Sequence, residues 1–336
     1  MSHHIFLRRL RNLAIGALSA VGAMAAAHAT DSVSVLFGKD GWLFTPYEFA
    51  LPSDATDTAA TIQMFQRANK LFESKGITLA LVIVPSKVRI HADKLPDDKP
   101  LDSYTAEKYG KSVAALRERG VHVVNLNDVF MASAHRASDT PLFLRYDTHW
   151  SPTGALLAAE TIGKEIGADP VLSAALAKTV EEKYTLTMAP KKSITRARDL
   201  VRLLPAGAPV FPPEYVQTFK VSRAREGQTD LLGGGDSVDI TVIGSSYTNK
   251  NTLYPDGLRY TLQRNVLDIS IPVDQGPWVG MEAYLSDEAF KTKKPKLIIW
   301  EIPERELRSP PNYAARDARY VINNEEWISR ITNLLR

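Results

Sequence analysis

The sequence predicts a three-layer α/β/α domain built on a mainly parallel sheet. Two observations carry that expectation. "TLALVIVP", "VDITVIG" and "KLIIWEI" are nearly continuous apolar runs of strand length, the pattern of strands covered on both faces. Amphipathic helical stretches alternate with them, which winds such strands into a parallel sheet. A third observation is a break in the rhythm at about 172–237, rich in charge, Pro and Gly. There "EYVQTFKVSRAREGQTDLL" reads as a β-hairpin, so the stretch is expected to be a lid-like insertion rather than a separate folding unit.

Taken in order, the chain begins with a basic region (Arg8, Arg9, Arg11), an apolar run from 13 to 27, and Ala27-His28-Ala29, a small-x-small cleavage pattern. The run is shorter than the roughly 20 residues that a spanning helix requires. Residues 1–29 therefore read as a signal peptide or N-terminal membrane anchor, and 30–336 as an exported body. "VLFGKDGWLF" reads as strand, turn and strand. Ile62, Phe65, Leu71 and Phe72 mark a helix over 57–74 that Gly76 closes. The run "TLALVIVP" follows, then a helix ending at Gly120 and the strand "VHVVNL". In "SPTGALLAAETIGKEIG", Ser151 is the expected N-cap, Pro152 the first helical residue and Gly167 the stop. Beyond the insertion come "VDITVIG", a helix near 258–263, the short strand "NVLDISI", a helix near 281–290 and "KLIIWEI".

Composition excludes several functions. The chain has 336 residues, 44% hydrophobic and 24% charged, with ample apolar material for a core. A formal charge of +3 argues against a dedicated nucleic-acid binder, and leaves room for anionic polymers. Cysteine is absent, which removes disulfides, thiolate metal sites and thiol catalysis together. No H-E-x-x-H or comparable metal-ligand spacing is present, and "LLGGGDS" lacks the lysine and helix start of a phosphate loop. No metal and no cofactor is expected.

Two short segments carry the chemistry. Asp147 and His149 in "LRYDTHWSP" stand two residues apart. In an extended segment both would project to one side, where a carboxylate fixes the tautomer of an imidazole and stabilises its cation. Beyond the leader only His91, His122, His135 and His149 remain, and His149, at a strand-to-helix junction, is the best candidate base. "VIGSSYTN" puts Gly244-Ser245-Ser246 at the end of an apolar strand, the sheet edge where ligands bind in α/β folds. By itself that pattern fits a structural turn as well as a nucleophile.

"FGKDGWLF", "VIVPSKVRIH", "YDTHWSPTGA", "IGSSYTN" and "WEIPER" occur in that order, and together they resemble the periplasmic alginate O-acetyltransferases, a branch of the SGNH hydrolase-like superfamily. The resemblance implies an SGNH-like α/β/α fold and a triad carried onto Ser246, His149 and Asp147. It also implies acetyl transfer, by way of an acetyl-serine, to hydroxyls of an exported polysaccharide in the periplasm. The acetyl group would come through a membrane-bound O-acyltransferase partner. On that reading Ser86 and Lys87 are candidates for a second oxyanion donor, and Tyr146, Trp150 and Tyr247 for holding sugar rings. Arg305 or Lys87 would meet a carboxylate. Two other expectations stand beside it: a carbohydrate acetylesterase using the same triad, and a non-catalytic polysaccharide-binding component of an export complex.

Overall fold

A computed structural model describes residues 35–194, 198–224, 238–272 and 275–336. The expected leader lies outside them. Among the described residues no helix is long and apolar enough to cross a membrane.

The chain enters through β1 (Leu36–Phe37) and β2 (Leu43–Phe44), an antiparallel pair whose turn places Asp40 and Gly41 at φ 54° and 75°. Then follow α1 (Ala55–Glu73), β3 (Thr78–Val84), α2 (Lys87–Ile90), α3 (Ser103–Glu118), β4 (His122–Asn125) and α4 (Leu126–Ala132). Next come α5 (Pro152–Ala168) and α6 (Pro170–Leu176). Ser151 caps α5 by accepting from the N–H groups of Thr153 and Gly154, with Pro152 in the first turn. The helix runs one residue past Gly167, because Asp169 caps the next helix through the Val171 and Leu172 N–H groups.

The excursion contributes β5 (Tyr184–Met188), β6 (Lys192–Ile194), α7 (Asp199–Arg202), β7 (Glu214–Val216) and β8 (Phe219–Arg223). After it come β9 (Ile240–Gly244), α8 (Tyr254–Leu262), β10 (Val266–Ser270), α9 (Gly276–Ser286), α10 (Glu288–Thr292), β11 (Leu297–Pro303) and α11 (Asn324–Leu334).

The central sheet has the order β10-β9-β11-β3-β4, with every neighbouring pair parallel. Alternation along β3 explains the unbroken apolar run. Ala80, Val82 and Val84 enter one core with α5 and α8, while Leu79, Leu81 and Ile83 enter the other with α1, α3, α9 and α11. Both faces are covered, so every position from Leu79 to Val84 is buried and apolar.

The excursion differs in its pairing from the expected hairpin. β7 and β8 do not pair with each other; β7 pairs with β6 and β8 with β5, all antiparallel. Only Gln217 and Thr218 separate β7 from β8, and neither supplies the positive φ that a two-residue hairpin turn demands. The chain therefore runs on in one direction. The result is a long ribbon whose register slips by one residue between its two halves.

Candidate active site

β9 ends at Gly244, and the next residues turn sharply: Ser245 caps a single helical turn, Ser246–Thr248. Buried Glu301, on the neighbouring strand β11, reaches under this turn. It accepts from Ser245 N–H (2.8 Å), Ser245 Oγ (3.1 Å) and Thr248 Oγ1 (2.9 Å). Gly244 is required by that approach: a Cβ there would lie 2.3 Å from Glu301 Oε2 and 2.1 Å from Thr248 Oγ1. Burial pushes the Glu301 carboxyl up to about 7, against the pull of its hydroxyl and N–H donors.

The base loop precedes α5. Phe143 bridges Trp150 in antiparallel fashion, and Leu144 N–H donates to His149 O at 3.0 Å, so 145–149 form a turn and not the expected extended segment. Asp147 makes the turn: its Oδ1 accepts from His149 N–H at 3.0 Å, the side-chain-to-backbone bond two residues on that defines an Asx-turn. The same Oδ1 lies 2.6 Å from His149 Nδ1. On the other side of the ring, His149 Nε2 lies 2.7 Å from Ser246 Oγ. Ser246, His149 and Asp147 thus form one continuous hydrogen-bonded line at the C-terminal edge of the sheet. Burial alone would depress the imidazole; the hydrogen bond and charge of Asp147, aided by Asp199, raise it above its ordinary value. Burial likewise opposes the charged form of Asp147, but His149 and two N–H donors hold its carboxyl below the usual range.

The remaining expected site residues lie mostly beneath the relay. Lys87 is buried, and its ammonium donates to three carbonyls, Leu43 O (2.6 Å), Arg145 O (3.0 Å) and Asp147 O (3.0 Å). A saturated ammonium at that depth corrects its expected role as a carboxylate reader. Burial lowers it to about 8. Ser86 N–H donates to Glu304 Oε2 at 2.8 Å, so that backbone donor is taken, while its buried Oγ has no partner among the described residues.

Trp150 is buried between Tyr247 and Tyr254, and Tyr146 packs on Phe211 and Arg198, so neither offers a ring face to a sugar. Tyr247 is also buried and gives its hydroxyl hydrogen to Thr148 O at 2.6 Å. Half-buried Arg305 lies over the Tyr47 ring at 5.3 Å.

Several contributors were not named from sequence. Asp199 of α7 and Glu214 of β7 both hold the base loop from the excursion. Glu214 accepts from Arg145 N–H (2.5 Å) and Tyr146 N–H (3.3 Å); Asp199 Oδ1 accepts from Thr148 N–H (2.8 Å). The only available signal was an acid in a segment without periodicity, which is no signal. Asn249 lines the cleft beside Ser246; its Oδ1 is taken by Asn251 N–H, leaving its Nδ2 without a partner among the described residues. Ser246 N–H likewise has no acceptor among them.

Asp147, His149 and Asp199 bring nitrogen and oxygen atoms within 4.8 Å of one another. Within this cluster both ring nitrogens of His149 are already engaged, by Asp147 and by Ser246, so the cluster is closed by its own hydrogen bonds. It opens on a cleft of about 400 Å³. Lys192 and Arg202, from the excursion, line the cleft with no ion pair among the described residues.

Residues 35–304 match the family described as SGNH hydrolase-like domain, acetyltransferase AlgX. The chain belongs to this acetyltransferase family. It is 30% identical over 297 residues to the "Probable alginate O-acetylase AlgJ" of Pseudomonas syringae pv. tomato, covering 85% of this chain and 72% of that protein. Among solved structures, the family fold recurs in the O-acetyltransferase domain of Pseudomonas putida AlgJ. There the TM-score is 0.71 at 24% identity, over 89% of this chain and 98% of that one. Pseudomonas aeruginosa AlgX shares it at a TM-score of 0.64 and 18% identity, over 85% and 69%. The SGNH-like α/β/α class expected from the motifs is therefore the class of this family member.

Proposed function

We propose that this acetyltransferase carries the acetyl group on Ser246 and delivers it to a hydroxyl of an exported polysaccharide, alginate or a similar acidic exopolysaccharide, in the periplasm. The reading rests on one observation, the line from Ser246 Oγ through His149 to Asp147 at 2.7 and 2.6 Å. In the first half-reaction Ser246 Oγ bonds to the acetyl carbon and its proton passes to His149 Nε2. The tetrahedral intermediate then expels the donor's oxygen, which takes that proton. In the second half the sugar hydroxyl gives its proton to Nε2 as its oxygen bonds to the acetyl carbon, and the bond to Ser246 Oγ breaks as Nε2 returns that proton to it. Ser246 N–H and Asn249 Nδ2 are the donors at hand for the oxyanion, each worth about 3 kcal/mol when aligned.

The polymer class draws support from the cleft. Lys192 and Arg202 line the cleft beside Ser246 with no ion pair among the described residues, which suits an acidic sugar chain. The donor is inferred to be a membrane-bound O-acyltransferase that passes acetyl groups outward, the partner that the resemblance to the alginate O-acetyltransferases implies. Hydrolysis is the second reading, favoured by the half-open setting of the His149 ring, whose side chain is 24% exposed. The test supplies purified protein with an aryl acetate and with uronate or neutral oligosaccharides. Acetylated uronate product that is lost in Ser246→Ala supports the proposal. Free acetate at the same rate whatever the acceptor supports the esterase instead.

A further inference from the structure

The base of the relay carries a second carboxylate that comes from the excursion. Asp199 opens α7, and its own backbone N–H donates to Asp147 Oδ2 at 3.0 Å, occupying the oxygen that His149 leaves free. Its side chain closes the loop from the other direction. Oδ1 accepts from Thr148 N–H at 2.8 Å, and Oδ2 accepts from the Thr148 hydroxyl and stands 3.7 Å from His149 Nδ1. One residue therefore grips both neighbours of the imidazole and adds a negative charge to the face opposite the nucleophile.

We propose that Asp199 is a positioning residue of the acetyl-transfer relay: it locks the Asp147-Thr148-His149 turn and stabilises the imidazolium that forms when Ser246 gives up its proton. Asp147 holds the tautomer through a direct hydrogen bond. Asp199 lies beyond hydrogen-bond distance of the ring, so its effect on the ring is electrostatic. The charge around the ring is mixed. Asp147 faces it from its own loop and Asp199 from α7, while Arg305, after β11, opposes both. Lys87 of α2 binds the carbonyl of Asp147 from below, and Lys192 and Arg202 stand in the cleft wall. With Arg305 opposing it, the charge of Asp147 is partly offset, and Asp199 adds a second negative charge that acts on the ring. α7 is short, with Asp199 at one end and cleft-lining Arg202 at the other, so the same helix joins the relay to the wall of the cleft.

The inference rests on Ser246 as nucleophile, and the experiment separates the two. The burst of aryl oxide released from an aryl acetate is followed against pH for wild type, Asp199→Asn, Asp199→Glu and Ser246→Ala, with thermal midpoints for each. In the burst, Ser246 Oγ acquires the acetyl group, the aryl oxide leaves, and the serine proton passes to His149. Asp199→Asn keeps an oxygen for Thr148 and removes the charge. Its acid limb is expected to move down by about one pH unit, because losing a nearby negative charge makes the imidazolium easier to deprotonate. Its plateau rate is expected to fall about tenfold, because that cation is less stabilised in the transition state. Asp199→Glu, which retains the charge, is expected to keep the wild-type limb. A wild-type limb and plateau in Asp199→Asn overturn the proposal. So does a rate that falls only with the folded fraction, the limb unmoved, which is what a purely structural role gives. If Asp199→Asn does not fold, a displaced limb in Asp199→Glu overturns it and an unmoved one supports it. A wild-type burst in Ser246→Ala removes the nucleophile, and the proposal with it.

Discussion

The two loops that meet at the relay are held in different ways. The nucleophile loop is held by the sheet: Ser246 follows β9 directly, and Glu301 on adjacent β11 takes the donors of Ser245 and Thr248. The base loop has no strand behind it. Lys87 of α2 grips the carbonyls of Arg145 and Asp147, Glu214 of β7 the N–H groups of Arg145 and Tyr146, Asp199 of α7 the Thr148 N–H, and Tyr247 the Thr148 carbonyl. One serine is placed by regular secondary structure, and one histidine by four side chains scattered along the chain. The excursion acts as a brace, since two of its acids fasten the loop that carries His149.

If that contrast is right, the largest effect follows loss of Lys87. Lys87→Met leaves three buried carbonyls without their donor and takes one of the nearby cations from Glu48 and from Glu214. Unfolding titrations are expected to show about 3–5 kcal/mol of destabilisation. A loss below about 1 kcal/mol would mean that the base loop stands without this tie.

Glu301 tests the other loop. Its folded-state pKa, about 7, is raised above the ordinary 4.5 because burial disfavours the charge. Such a group contributes stability that is complete below 4.5 and is lost as pH rises to about 7, roughly 3 kcal/mol over that window. Glu301→Gln is expected to flatten this part of the stability curve, and an unchanged slope would assign it to another group. Gly244→Ala is the smallest of the three in stability, about 1–3 kcal/mol, since the new methyl group must push Glu301 or Thr248 aside. Its mark is on rate. A displaced nucleophile is expected to lose about a hundredfold in the aryl acetate burst.

The same contrast explains what was legible in the sequence. Strands β3, β9 and β11 are apolar on both faces, so their runs announced a covered parallel sheet, and the Gly-Ser-Ser at the end of β9 announced a turn at its edge. Asp147, His149 and Ser246 were named because each sits in a short local motif, and the structure brings them to hydrogen-bonding distance. The local shape of "DTH" was misread, because an Asx-turn and an extended strand share the same two-residue spacing and differ only in where the aspartate's oxygen points. Lys87, Glu214 and Asp199 carry no periodicity, and their partners are backbone groups with no signature in sequence. The aromatics Tyr146, Trp150 and Tyr247 look like a sugar platform in the sequence because proximity to a motif says nothing about depth. All three are core residues in the fold.

The account is tested most directly by the chemical state of Ser246 during turnover. Protein quenched in the pre-steady state with an aryl acetate, digested and mapped by mass, should carry one acetyl group on the peptide containing Ser246. That label should vanish when acceptor oligosaccharide is added. Acetylated acceptor formed while the Ser246 peptide stays unmodified at every time point, or formed equally well by Ser246→Ala, would contradict it.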